Sequence, residues 1–356
     1  MGSTTGLHLD YLSLAEFEAA RWAGVMGVAT FDSSPPDLEV AIPVAQVNTP
    51  VLGDAGALCE VWRTPQTVES GTRGRVRYAR TADTLFGCIA IPEDSSPDSS
   101  GTPLHRATEQ AYREILGTLD ALGYAHLIRV WNYVAEINRD THGAERYRQF
   151  NSARQAALLA SGRPVTGNVS AACALGAGMG SPLVVYFLAS QTAPTFIENP
   201  RQMSAYNYPP QYGARSPVFS RATVLPGADG MTLFISGTAS IVGHQTIHVG
   251  DTAAQTRETL TNIDALLEEA NRVTGRDVFK FDTLACKVYV RHPSDLPVIQ
   301  AELRAALGPT TRAVYLQADI CRRDLSVEIE ATAVVTYRSS DTTSLYTGAQ
   351  ASQLRG

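Results

Sequence analysis

Hydrophobic positions along this chain follow two periods, and the switches between them mark out its elements. The unbroken apolar run Leu85–Ile91 reads as a buried strand. After a Pro/Ser/Asp-rich loop, Thr102 and Pro103 form a helix start, a capping residue followed by proline at the first helical position. The stripe Leu104, Ala107, Ala111, Ile115, Leu119 and Leu122 keeps helical spacing. A strand over His126–Ile137, a helix over Ala144–Ala160 and a strand over Leu183–Leu188 complete this set. The order then recurs. Leu233–Ala239 reads as a strand, and Thr252 with Gln255 has the spacing of a capping box. The helix after it carries the stripe Ala253, Thr256, Leu260, Ile263, Leu267 and Ala270. A strand at Leu284–Val290, a helix at Pro297–Leu307, and strands at Ala313–Ala318 and Leu325–Val335 follow. The two leading strands are offset by 148 residues and the two helix starts by 150. Agreement across separate elements predicts two copies of one β-α-β-α-β module. Upstream, a short helix (Leu14–Trp22) and strands near Leu38–Val47 and Leu58–Trp62 read as a cut-down third copy. The expected domains are residues 1–75, 76–200 and 201–356, with a Tyr- and Pro-rich linker at 199–217.

The last strand changes the picture most. From Leu325 onward, Leu325, Val327, Ile329 and Ala331 take one face; Ser326, Glu328, Glu330 and Thr332 take the other. Two carboxylates pointing the same way raise each other's proton affinity. This is one way to keep a proton donor near neutral pH. Taken alone, the segment reads as a solvated strand face. Charged residues make up 18% of the chain and hydrophobic ones 44%, the composition of a compact globule. A net charge of −6 without a basic block excludes a general nucleic-acid or anionic-membrane surface. No apolar run reaches membrane-spanning length, and the start lacks a leader pattern. The five cysteines are odd in number and scattered, which predicts neither a disulfide framework nor a CxxC metal site and fits a reducing cytoplasm.

Several motifs offer chemistry. Gly176, Gly178 and Gly180 imitate a dinucleotide fingerprint, but a strand follows them instead of a helix, so the segment reads as a hairpin turn. His244 and His248 lack the helix and the glutamate of a zinc site. No nucleophile elbow or Ser/His/Asp set is recognisable. Tyr206, Tyr208, Tyr212 and Arg215 lie in the linker, where they either wall a pocket for a flat anion or pack an ordered connection onto both modules. Arg146, Arg148 and Arg154 belong to one predicted helix. Arginine near a helix start opposes the dipole, so Arg148 calls for an anionic ligand or a partner such as Glu145.

The segments Arg146–Asn151, Ala205–Pro217, Ser236–His244 and Cys321–Glu330 together resemble the chorismatase family, with similarity over about residues 75–337. The resemblance implies an α+β fold of repeated Rid-like (chorismate mutase-like) β-α-β-α-β modules in a pseudo-threefold arrangement within one chain, and so a monomer. It implies a site between the central and C-terminal modules that cleaves chorismate and releases pyruvate. Glu328 would be the acid. Arg148, Tyr206, Tyr212 and Arg215 would hold the two carboxylates, with Tyr208 and Arg221 in reserve. No metal or other cofactor is expected, and no nucleic acid or membrane partner. Gly237, where hydrolytic members tend to carry alanine, and the thiol of Cys321 resemble the members that form 3-hydroxybenzoate through an arene oxide. A thiol or thiolate at 321 would assist epoxide opening. The alternatives are the hydrolase outcome, a dihydroxycyclohexadiene carboxylate with pyruvate, and a non-catalytic module that senses a small carboxylate. Imine hydrolysis through Arg312 is a further reading.

Overall fold

A computed structural model describes residues 6–19, 23–36, 38, 40–53, 56–94, 101–309 and 312–336. Trp22, most of the 95–101 loop and the chain after 336 lie outside them. The architecture is mixed α/β, with three larger sheets. The N-terminal sheet contains β1 (His8–Ser13), β2 (Val25–Asp32), β3 (Val44–Asn48) and β4 (Leu58–Arg63), with α1 (Leu14–Ala19) after β1; its strand order is β1-β4-β2-β3. The central sheet begins with β5 (Glu69–Arg73), β6 (Val76–Arg80) and β7 (Thr84–Ile91). It continues through α2 (Pro103–Leu122), β8 (His126–Ala135), the ribbon β9 (Asp140–Thr141) and β10 (Ala144–Glu145), α3 (Arg146–Ala160), β11 (Ala171–Ala177) and β12 (Leu183–Ser190). Its order is β11-β8-β12-β7-β6-β5. The C-terminal sheet uses β13 (Thr195–Ile197), β14 (Ala222–Gly227) and β15 (Gly230–Thr238). The ribbon β16 (Ile241–Val242) and β17 (Gln245–Thr246), α4 (Thr252–Thr274), β18 (Leu284–Val290), α5 (Leu296–Leu307), β19 (Arg312–Gln317) and β20 (Val327–Thr336) follow. Its order is β19-β18-β20-β15-β14-β13.

The central and C-terminal sheets therefore share one strand order. Each contains a single parallel pair, β8 with β11 and β18 with β19. The N-terminal sheet, read as β3-β2-β4-β1, matches the first four places of that order and has its own parallel pair, β2 with β3. The hairpin expected around Gly178 is corrected here: β11 and β12 are not hydrogen-bonded neighbours, because β8 lies between them.

Local chemistry explains the helix limits. Thr102 caps α2 by accepting from the His105 amide, 3.2 Å, and Gly123 ends the helix with φ 81°. On α4 the cap is Asp251, not Thr252; its side chain accepts from the Ala254 amide, 2.9 Å. Gln255 is thereby released for another task, described below. No helix among the described residues is long and apolar enough to cross a membrane.

Helices cover the outer face of each larger sheet, giving separate apolar clusters. The inner faces share one core, in which Phe31, Trp62, Trp131, Tyr133, Tyr186, Phe234 and Tyr289 meet. A buried charge network crosses this core. The Lys287 ammonium contacts Glu60, Glu330 at 2.9 Å and the Tyr186 hydroxyl at 2.9 Å. Arg129 reaches Glu330 at 2.6 Å, and the Trp131 indole N–H donates to the same carboxylate at 2.8 Å. Burial opposes the charge on Lys287, but Glu330 and Glu60 outweigh it and hold the amine protonated. Removing one member of such a network strands the others without compensation. Lys287→Met is expected to lower unfolding free energy by about 3–5 kcal/mol, read from the urea midpoint; an unchanged midpoint would mean that Glu60 and Glu330 have other partners.

Candidate active site

Alternation on β20 sends Val327, Ile329 and Ala331 to the helix side and Glu328 and Glu330 to the interior. Leu325 precedes the strand and joins the inner core instead. The solvated-face reading is overturned: the inner faces of the sheets pack together, and Glu328 is 3% exposed. The two carboxyls diverge in acidity. Burial, followed by the charge of Glu330, pushes Glu328 up to about 8. Burial also raises Glu330, but Lys287 and Arg129 outweigh it, so Glu330 stays below the usual carboxylate range. The mutual raising expected from sequence operates in one direction only, because the cations stand beside Glu330.

Gly237 makes room for the acid. Pairing of β15 with β20 slips between Ile235 and Thr238, leaving Ser236 and Gly237 as a bulge. A Cβ at 237 would stand 1.8 Å from Glu328 Oε1, so the carboxyl occupies the place of a side chain. Ser236 ties the bulge to the central sheet: its hydroxyl accepts from the Ala172 amide at 2.9 Å and donates to the Ser220 carbonyl at 2.6 Å.

The loop before β20 supplies the opposite wall. Arg291 donates to the carbonyls of Leu325 (2.7 Å), Ile320 (3.1 Å) and Arg322 (2.7 Å), which fixes the loop from below. Gln255 donates to the Asp324 carbonyl at 2.8 Å and accepts from the Ser326 amide at 2.7 Å. Cys321 is thereby set with its sulfur 3.9 Å from Glu328 Oε2. Burial, then the Glu328 charge, push the thiol up to about 12, so of thiol and thiolate the neutral thiol is the form present near pH 7.

A cavity of about 370 Å³ opens over Glu328, Gly237 and Cys321, with Arg148, Tyr212, Arg221 and Arg322 among its walls. Arg322 lies over the Tyr212 ring at 4.1 Å and the Tyr208 ring at 5.2 Å, and donates to the His244 carbonyl at 2.9 Å. One of its terminal nitrogens is buried without a partner. Arg221 donates to the Met203 carbonyl at 2.6 Å and the Tyr208 hydroxyl at 2.8 Å, and its Nε is likewise buried and unpartnered. Guanidinium groups on a cavity wall are suited to carboxylates. Arg148 is half exposed at the rim, donates to the Gln211 carbonyl at 3.1 Å and stands 3.6 Å from Glu145. The Tyr212 hydroxyl donates to the His244 carbonyl at 2.7 Å and lies 3.1 Å from the Nδ1 of the same residue, the first of the two histidines considered for zinc.

Of the residues expected from sequence, Glu328, Cys321, Gly237, Arg148 and Tyr212 line this cavity, together with Tyr208 and Arg221. Tyr206 and Arg215 do not. Tyr206 packs against the central helical cluster beside Glu198, and Arg215 is exposed. Arg312 also lies elsewhere and donates to the Leu9 carbonyl at 3.1 Å. Arg146 turns away to Glu93 and the Ala135 carbonyl. Arg322 was missed because it and Arg323 form only a pair, too short to read as a basic block. Its place beside Cys321, at the mouth of the acid-bearing strand, was the available signal.

A buried carboxyl, a thiol and arginine side chains thus line one cavity, the kind of site that can receive a small anionic molecule. Comparison with known proteins agrees. Residues 60–189 match the family described as chorismatase FkbO/Hyg5-like, N-terminal. A 3-hydroxybenzoate synthase of Streptomyces hygroscopicus is 36% identical over 86% of this chain and 90% of its own length. A chorismatase of Streptomyces rapamycinicus is 39% identical over 81% of this chain and 85% of its own. A solved chorismatase structure superposes with a TM-score of 0.84 at 32% identity, covering 94% of this chain and all of that one. The chain belongs to the chorismatase family.

Proposed function

We propose that this protein converts chorismate to 3-hydroxybenzoate and pyruvate, with Glu328 as the acid. The observation that carries this reading is a buried carboxyl raised to about 8 in a cavity that Arg148, Arg221 and Arg322 also line. Chorismate is a dianion bearing an enol ether. Arg221 and Arg322 are suited to its carboxylates, with Arg148 at the rim and Tyr208 and Tyr212 beside the guanidinium planes. Glu328 gives its proton to the terminal methylene carbon, creating an oxocarbenium-like centre and turning the enolpyruvyl group into a leaving group. The ring hydroxyl attacks the adjacent ring carbon that bears the enolpyruvyl oxygen, that C–O bond breaks, and pyruvate departs. The protonated arene oxide opens one C–O bond and loses a ring proton, which the Glu328 carboxylate can take back. One proton is lent and one returned, and no water is consumed. Cys321, as a neutral thiol that donates to Glu328 Oε2, is suited to orient that carboxylate as it takes the ring proton and the opened epoxide rearomatises.

The shared strand order supports three Rid-like modules within residues 6–63, 69–190 and 195–336, related by a pseudo-threefold axis. The central module then starts before residue 76, because β5 pairs with β6. Lys287 also supports the axis, since it touches Glu60, Tyr186 and Glu330 on β4, β12 and β20, the last strand of each sheet. Contacts that three separate chains would otherwise make are satisfied internally, which favours a monomer.

Incubation with chorismate should release 3-hydroxybenzoate and pyruvate in equal amounts; pyruvate without 3-hydroxybenzoate would indicate the hydrolytic outcome, and no turnover a binding role. Cys321→Ala is expected to shift the product ratio as well as the rate; unchanged products would remove the thiol from the chemistry.

A further inference from the structure

A second, larger cavity lies further along α3. It measures about 580 Å³ and is walled by Leu119, Val130, Leu158, Val169 and Val218, with Arg154 as its buried cation. Tyr147 lines the catalytic cavity, and Arg154 follows it by seven residues, about 10 Å along the helix axis. The two cavities are thus neighbours with different walls.

Arg154 is 3% exposed. One terminal nitrogen donates to Asn151 Oδ1 at 3.1 Å, the guanidinium lies 5.0 Å from the Phe150 ring centre, and Nε is buried with no partner. Among the described residues, three other buried cations each meet a carboxylate: Arg129 with Glu330, Arg146 with Glu93, and Lys287 with Glu60 and Glu330; Arg221, on the wall of the catalytic cavity, shares with Arg154 the lack of an ion pair. Arg154 also bonds the Tyr112 side chain, a neutral partner, but forms no ion pair among the described residues. A guanidinium removed from water without a counter-charge is costly, and apolar residues would fill the same space more favourably. Its retention at the wall of an apolar cavity is explained if an anion enters.

We propose that this cavity is a second ligand site that takes a small aromatic monocarboxylate, with the ring against the apolar wall and the carboxylate on Arg154. A single buried cation calls for one carboxylate, so a dianion such as the proposed substrate is a poorer fit. An aromatic acid of the kind the proposed reaction releases has the right chemistry, and only that last identification rests on the proposed function.

The test is calorimetric titration of the full-length protein with benzoate, alongside Arg154→Met, Arg154→Lys and Arg322→Met. Wild type and Arg322→Met should bind benzoate alike. Arg154→Met should weaken binding at least tenfold, keep turnover of chorismate within twofold, and leave the ligand-free melting temperature unchanged or higher. Should the methionine variant fold poorly, Arg154→Lys retains the charge but not the planar fork, and should bind at least threefold more weakly than wild type. Binding lost in Arg322→Met but kept in Arg154→Met would assign benzoate to the catalytic cavity and overturn the proposal. So would a wild type that does not bind benzoate, or an Arg154→Met protein that melts lower while binding benzoate normally. A protein inactive on chorismate that still binds benzoate through Arg154 would overturn the proposed function and leave the second site standing.

Discussion

Glu328→Gln should lower kcat by about 10²–10⁴-fold, the range for loss of a general acid, while the affinity for chorismate changes little. The amide has nearly the shape of the protonated carboxyl, so it fits the space beside Gly237. Arg221 and Arg322, the groups suited to the anionic substrate, are untouched. Only the proton is missing. Stability gives an independent reading. Glu328 rises from an ordinary 4.5 to about 8 on folding, so the native state holds a proton that the unfolded chain releases. The contribution of Glu328 to stability therefore falls as pH climbs from 4.5 to 8. In Glu328→Gln this part of the slope should vanish, leaving the variant as stable as wild type or more so at pH 8. Single-turnover kinetics and melting curves across that range check both expectations; wild-type turnover in the variant would remove Glu328 from the chemistry.

Gly237→Ala should have the next largest effect, through the same carboxyl. The added methyl would lie 1.8 Å from Glu328 Oε1, 2.7 Å from its Cδ and 3.2 Å from Cys173 Cβ. No pair of atoms tolerates the first two separations, and the bulge that carries Gly237 is tied to both β20 and the central sheet. The carboxyl is the group free to move. It should rotate away from the bulge, altering its contact with Cys321 and its aim at the substrate. A fall in kcat of at least tenfold is expected, about 1.4 kcal/mol in the barrier, with a smaller share of 3-hydroxybenzoate among the products. A variant crystal structure with Glu328 in place, combined with unchanged products, would contradict this role for Gly237.

The parts of the fold legible in sequence were those with local signatures. Helix α2 announces itself through its cap and stripe and α4 through its stripe, and the 150-residue offset of the helix starts follows from them. Strand β11 passed unnoticed because its small residues, Ala171–Ala177, are buried and show no alternation. Strand β2, Val25–Asp32, is buried along almost its whole length and likewise shows no alternation. The order of strands within a sheet depends on long-range pairing, so β8 between β11 and β12 could not be read from a local turn.

At the site, alternation correctly placed Glu328 and Glu330 on one face, but no local pattern says what that face meets. The opposite acidities of the two carboxyls come from Lys287 and Arg129, contributed by β18 and β8. Tyr206 and Arg215 came from a linker motif whose side chains the fold sends to different places, whereas Arg322 and Arg221 reach the cavity through tertiary placement.

The most direct test of a neutral acid at position 328 is a pH titration of its carboxyl by infrared difference spectroscopy, wild type minus Glu328→Gln, with the side-chain carboxyls isotope-labelled. A protonated carbonyl band that persists through neutral pH and disappears near pH 8 is the predicted result. A band already lost by pH 5 would show an ordinary carboxylate at 328 and contradict its role as proton donor.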